Sequence, residues 1–214
     1  MVRSGVVLRV SAAILAGGRA RRFDGADKAA LRIGSGRIID RQLAALSGVS
    51  DDVRIVASDA SRYGSLGIRV IPDVIPHAGP LGGIYSALLD ARHDRVIALA
   101  CDLPFVTGAL LAAIAAAGDD RDDAVMPRSS RGLEPLCGWY HRRATAAIRA
   151  RIERGDLSIH TLTEVLRVRE LGLETLAPLA GDHAFENINT PHDYERATRS
   201  IELDTKPLKD RITE

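Results

Sequence analysis

Apolar positions come in short bursts separated by turn residues, with two different periods. Residues 6–16 form a mostly apolar run that contains a first buried strand, and it stops at Gly17-Gly18. After a basic loop, Leu31-Arg32-Ile33 leads into a Gly34-Ser35-Gly36 turn. Ile39, Leu43 and Leu46 then recur at the i, i+4, i+7 spacing of one helix face. Residues 53–57 and 68–71 read as the second and third strands, and 72–79 as a loop. Pro80 suits the first position of a helix that buries Ile84, Ala87, Leu88 and Ala91. Residues 95–100 read as the next strand, ending at Cys101-Asp102-Leu103-Pro104. Thr107 caps a helix with Leu110, Leu111 and Ile114 inward.

The later pattern is less regular. Residues 124–126 predict a short strand, 127–132 a polar loop, 136–140 a strand, and 142–154 a basic helix containing Ala144, Ala147, Ile148 and Ile152. Ser158 is placed to cap a helix carrying Ile159, Leu162, Val165 and Leu166. Residues 185–188 predict a late strand, on which Asn187 and Asn189 would point the same way. Thr190-Pro191-His192-Asp193 then opens the last helix with a capping box and a first-turn proline. Strands alternating with helices predict an α/β fold with a doubly wound, mostly parallel sheet and helices on both faces. No repeat or linker divides the chain, so a single domain is expected over residues 1–202, with a polar tail at 203–214.

Composition narrows the classes. The 214 residues suffice for one large core, and the net charge of +1 gives no support for a broad nucleic-acid or membrane surface. Positive charge is local, at residues 19–28 and 142–154. Cys101 and Cys137 cannot make a disulfide framework or a metal cluster. No stretch has a signal-peptide pattern or transmembrane length, so the cytoplasm is the default location.

In open α/β sheets, ligands bind beyond the carboxyl ends of the strands. Three clusters fall there. In residues 15–28, Gly17 and Gly18 remove the Cβ atoms that would hold a ligand off the backbone, and free N–H groups can cradle phosphate oxygens. Arg22 and Lys28 add positive charge where a polyphosphate needs it. The Walker loop and the dinucleotide fingerprint are both missing, the latter arguing against an NAD-dependent oxidoreductase. The second cluster is Asp73 with Gly79-Pro80-Leu81-Gly82-Gly83. Asp73 reads either as a turn residue or as an acceptor for guanine N–H groups. The small residues read either as a helix start or as room for a base and ribose. Third, Asp102 follows a buried strand and reads either as a turn cap or as a ligand for Mg²⁺, which takes one or two protein oxygens and the rest from phosphate and water.

Taken in order, these motifs resemble the molybdenum cofactor guanylyltransferases. Leu15-Ala16-Gly17-Gly18 with Arg22-Phe23 and Asp27-Lys28 matches the signature of that family. Gly79-Pro80-Leu81-Gly82-Gly83, Cys101-Asp102-Leu103-Pro104, Glu134-Pro135-Leu136 and Asn187-Ile188-Asn189-Thr190-Pro191 follow in the family's order. The resemblance spans roughly residues 12–200. It implies a Rossmann-like fold of the nucleotide-diphospho-sugar transferase type and transfer of GMP from MgGTP to the phosphate of molybdopterin. It implies that Leu15, Ala16 and Gly17 contact the nucleotide, Lys28 its phosphates and Asp73 the guanosine. Asp102 would coordinate Mg²⁺, and Asn187 and Asn189 would face the pterin. Transient contact with molybdopterin-delivering proteins or molybdoenzymes would accompany such an activity.

Two positions depart from the family pattern: Asp24 stands where a glycine is usual, and Ala57-Ser58-Asp59 where an asparagine often meets the nucleotide. The glycine pair favours the guanylyl over the cytidylyl members. A cytidylyl- or sugar-phosphate nucleotidyltransferase of the same fold and a non-catalytic nucleotide-binding adaptor are the competing readings. Donor preference separates the first, and the joint presence of Arg22, Lys28 and Asp102 argues against the second.

Overall fold

The computed structural model describes residues 9–17, 28–176, 178, 179 and 183–205, with only the backbone of Lys28, Leu173 and residues 201–205. The first strand, β1 (Val10–Leu15), is buried along its whole length. A small hairpin of β2 (Arg32–Ile33) and β3 (Gly36–Arg37) leads into α1 (Ile38–Leu46). Strands β4 (Val53–Val56) and β5 (Arg69–Ile71) follow, joined through a 3₁₀ segment at Ala60–Leu66. Helix α2 (Gly79–Asp90), with Pro80 one residue inside its start, leads to β6 (Arg95–Ala100) and α3 (Gly108–Ala116). Thr107 caps α3 as expected, its hydroxyl oxygen accepting the Leu110 N–H at 3.1 Å.

The second half builds β7 (Ala124–Ser129), β8 (Gly132–Leu133), β9 (Cys137–His141), α4 (Thr145–Glu153), β10 (Val168–Leu171), the short α5 (Leu173–Leu176) and α6 (Pro191–Thr205). The sheet runs β10-β7-β9-β6-β1-β4-β5, with β8 paired to β7. Pairings within β6-β1-β4-β5 are parallel, as is β10 with β7, while β9 runs antiparallel to both its neighbours. The doubly wound, mostly parallel sheet is therefore as the pattern predicts. Its two faces carry separate cores. Val10, Ala12 and Ile14 of β1 pack with the α1 and α3 side chains Ile39, Leu46, Leu110 and Ile114. Ala13 and Leu15 pack on the other face with Leu81, Ile84 and Leu88 of α2 and Ile148 of α4. Being covered on both faces is why β1 and β6 read as continuous apolar runs. Neither cysteine is in a disulfide, and among the described residues no helix is long and apolar enough to cross a membrane.

Several expectations are corrected. Residues 185–188 form no strand. Glu186 N–H bonds to the His183 carbonyl and Ile188 N–H to that of Asp102, while Ile188 packs with Ile33, Ile38 and Ala197. Phe185 and Ile188 are buried at a spacing of three rather than two, which is turn packing and not strand alternation. The helix expected after Ser158 is only a 3₁₀ segment, His160–Glu164, with Val165 exposed. The fully buried Arg151 takes the Thr161 carbonyl at 2.8 Å, an acceptor that a continuing helix would have used. The loop expected over 127–132 shrinks to a turn at residues 130 and 131: β7 continues through Ser129 and pairs with β8, which starts at Gly132. Strand β10 lacks an apolar signature because it is an edge strand, whose Arg169 and Glu170 pair with Asp122 and Arg128. On α1, Leu43 is only partly buried and Gln42 occupies the buried position beside it. Helix α6 runs on through Thr205, and residues 206–214 of the expected tail lie outside the described residues.

At the β9–β7 contact a Cβ on Gly138 would stand 2.3 Å from the Val125 carbonyl oxygen, a backbone atom that cannot swing away. Gly138→Ala is expected to lower stability by about 1–3 kcal/mol or more. A urea titration should show an earlier midpoint with an unchanged slope.

Candidate active site

The chain runs from β1 to β4 and β5 on one side, then returns to place β6 on the other side of β1. This reversal opens a crevice at the carboxyl ends of β1 and β6, where Leu15 and Ala100 lie side by side in register. The Cys101 N–H donates to the Leu15 carbonyl at 3.3 Å, so the two strand exits leave the sheet together.

Asp73 lies just beyond β5 and reaches the exit of β1. A Cβ on Gly17 would lie 3.3 Å from its Oδ2, and Cβ atoms on Gly82 and Gly83 would lie 3.9 and 3.8 Å from its Oδ1. The Gly83 position also meets Leu15 Cδ2, at 3.2 Å. Glycines from two separate motifs thus border one carboxylate: a Cβ on Gly17 would press on it, while at Gly82 the tight contact is with Ala78 Cβ, at 2.8 Å. Oδ1 of Asp73 is buried and has no hydrogen-bond partner among the described residues. Burial pushes the Asp73 carboxyl above its ordinary pKa, because the charged form has lost water. The segment is pinned by buried Ser86, whose hydroxyl accepts the Val74 N–H and donates to the Gly82 carbonyl, both at 2.8 Å. Leu81 is fully buried in the core, so only its backbone faces the loop, while Gly79 takes a φ of +61° and Pro80 is exposed.

Asp102 sits in the turn after β6, with its Oδ1 buried. The carbonyls of residues 100, 102, 103 and 104 each accept a hydrogen bond. Gln42 Nε2 reaches those of Ala100 at 2.7 Å and Leu103 at 3.1 Å; Ile188 N–H reaches that of Asp102 at 3.0 Å, and Arg41 Nε that of Pro104 at 3.2 Å. The Ile188 bond brings the Asn187–Asn189 segment beside the Asp102 turn. Oδ1 of Asn187 is buried without a hydrogen-bond partner among the described residues, while Asn189 is half-buried with its N–H on Asp193. Arg131, from the β7–β8 turn, donates to the Phe185 carbonyl and pairs with Glu134 at 3.5 Å; Glu134 also accepts the Ser129 hydroxyl at 2.6 Å. Reciprocal bonds between Thr190 and Asp193 cap α6 as the sequence predicts.

The structure therefore gathers Leu15, Ala16 and Gly17 with Asp73, Gly82 and Gly83, and links Asp102 to Asn187 through the main chain. Gly18 and Arg22 lie outside the described residues. Lys28 opens a 3₁₀ turn, Lys28–Ala30, anchored by fully buried Ala29. Sequence reasoning passed over Gln42 and Ser86. Gln42 was detectable: it stands three residues after Ile39 and four before Leu46, on the apolar face of α1.

Among the described residues no three His, Cys, Asp or Glu side chains gather to hold a metal. A single carboxylate at a strand end is a donor set that fits a divalent cation taking most of its ligands from phosphate and water, not one needing an all-protein cage.

Comparison with known proteins finds relatives along most of the chain. Residues 12–171 match the family model described as MobA-like NTP transferase domain. The chain is 34% identical over 193 residues to a molybdenum cofactor guanylyltransferase of Desulfosudis oleivorans, covering 90% of this chain and 96% of that one. It is 34% identical to a probable molybdenum cofactor guanylyltransferase of Pelotomaculum thermopropionicum, covering 89% and 93%. The crystal structure of molybdopterin-guanine dinucleotide biosynthesis protein A from Archaeoglobus fulgidus superposes with a TM-score of 0.75 at 26% identity, covering 90% of this chain and 98% of that one.

Proposed function

The chain belongs to the MobA-like NTP transferase family, and from that premise we propose that it transfers GMP from MgGTP to the phosphate of molybdopterin, releasing pyrophosphate. The observation that supports the nucleotide half of this reading is the Asp73 carboxylate between Gly17, Gly82 and Gly83, whose buried Oδ1 has no hydrogen-bond partner among the described residues. A buried acceptor of this kind is costly unless a ligand supplies the donor. Guanine does, through N–H groups on its Watson–Crick edge, whereas adenine and cytosine set a ring-nitrogen acceptor at the corresponding place.

The reaction is in-line attack by a phosphate monoester oxygen on the α-phosphorus of GTP: an O–P bond forms as the bond to the pyrophosphate oxygen breaks. That nucleophile is already ionised near neutral pH, so no side chain need remove a proton. Catalysis is then positioning and charge neutralisation. Asp73 and the glycine wall hold the guanosine. Arg22 and Lys28 offset the charge on the phosphates, and Asn187, beside the Asp102 turn, presents an acceptor to the pterin. Asp102 is the residue that would hold Mg²⁺, which supplies Lewis-acid stabilisation of the phosphate oxygens when bound. Short-lived docking with the protein that delivers molybdopterin or receives the product completes this reading.

Equilibrium binding of GTP, CTP and ATP to the folded chain tests the Asp73 assignment. GTP should bind at least about tenfold more tightly than either rival, the margin of one well-placed hydrogen bond. Equal binding of the three would contradict it.

A further inference from the structure

Gln42 is an expensive residue for its position. It is fully buried in the helix face that packs on the sheet, and its Oε1 is buried without a hydrogen-bond partner among the described residues. A leucine there would fill the same face with no polar atom to satisfy. What leucine cannot do is donate. The Gln42 amide places both its N–H groups on carbonyls of a segment some 60 positions away in sequence, Ala100 at 2.7 Å and Leu103 at 3.1 Å. These acceptors stand on either side of Asp102, and they fix which end of the amide carries the nitrogen, since Oε1 there would face two oxygens. Arg41, its neighbour on α1, holds the next carbonyl, that of Pro104, at 3.2 Å. One helix turn thus staples the turn that carries the carboxylate.

We propose that Gln42 is the positioning residue for Asp102: it fixes the backbone on both sides of that carboxylate and so sets its aim at the divalent cation. Gln42 never touches substrate; it acts through the main chain of residues 100–103. The inference rests on the nucleotidyl-transfer reading, and it adds a residue that the motifs do not contain. Groups that orient a metal ligand typically change metal affinity by about 10- to 100-fold when removed, and affinity for the organic part of the substrate far less.

The test is direct binding of Mn²⁺, followed by water-proton relaxation, to the chain with the α,β-methylene analogue of GTP, which cannot transfer its nucleotidyl group. Gln42→Met keeps length and apolar contact and loses both donors. It should weaken Mn²⁺ binding at least about tenfold while leaving the affinity for the analogue at saturating Mn²⁺ nearly unchanged. Ile39→Val trims the same helix face without touching the staple, and should leave Mn²⁺ binding as it is. Arg41→Ala removes only the bond to Pro104 at a half-exposed position, and should shift Mn²⁺ binding in the same direction by a smaller factor. Should Gln42→Met not fold, Arg41→Ala decides, a shift supporting the proposal and none overturning it. Unchanged Mn²⁺ affinity in a folded Gln42→Met chain overturns it outright, as does an equal loss in Ile39→Val. Failure of the unaltered chain to bind Mn²⁺ and the analogue together would instead remove the nucleotidyl-transfer reading itself.

Discussion

Asp102→Ala is expected to abolish pyrophosphate release while the chain folds as before. The loss should be on the order of 1,000-fold or more in kcat, about 4 kcal/mol of barrier, because among the described residues no group of three His, Cys, Asp or Glu side chains is gathered that could hold the cation in its place. The fold should survive because the turn is held by its main chain. The Asp102 carbonyl accepts from Ile188, and Gln42 holds the carbonyls of Ala100 and Leu103. None of these bonds uses the carboxylate. Asp102→Asn, with the same shape and no charge, should lose nearly as much activity, which separates charge from packing. Urea midpoints measured beside the kinetics check the folding half of the statement. A folded Asp102→Ala chain with full turnover would end the metal assignment.

Asp73→Asn should produce opposite changes in stability and nucleotide binding. The carboxylate is bordered by Gly17, Gly82 and Gly83, its Oδ1 has no partner among the described residues, and burial raises its pKa. A carboxyl whose folded pKa lies above its unfolded value is most stabilising below the unfolded pKa, and that contribution is lost as pH rises through the folded one. The wild-type chain therefore carries a destabilising charge at neutral pH that asparagine lacks. Without nucleotide, Asp73→Asn should melt at a higher temperature than wild type at pH 7. The gap should close as the pH falls and Asp73 becomes protonated in both folded and unfolded chains. GTP binding should weaken by about 10- to 100-fold, the worth of hydrogen bonds to a charged acceptor. Stability given up for a ligand is the usual mark of a binding group. A variant that melts lower at pH 7, or binds GTP normally, would contradict the assignment.

What could be read from the sequence, and what could not, follows from where each signal is stored. The strands β1 and β6 and the helices α1, α2 and α3 are written in local apolar periodicity, because each buries a continuous face against the sheet. The α6 cap is equally local, carried by Thr190 and Asp193. Strand β10 left no such mark, since its polar residues find partners only once Asp122 and Arg128 are beside them. The apparent strand at 185–188 failed for the converse reason: Phe185 and Ile188 are apolar to fill gaps, and the backbone between them bonds to the Asp102 turn. Within the candidate site, Asp73 and Gly82 could each be suspected from their own neighbours. That Gly17 and Gly82 enclose the same carboxylate is a tertiary fact, absent from either stretch alone. Gln42 fell between the two cases. Its helical phase was visible, but its partners lie across the fold.

The most direct measurement is pyrophosphate release from MgGTP, with and without molybdopterin, and with CTP in parallel. Guanylyl transfer predicts release that requires GTP and molybdopterin together, with CTP inactive under the same conditions. Release from CTP in place of GTP, or firm GTP binding with no release when molybdopterin is supplied, would contradict it.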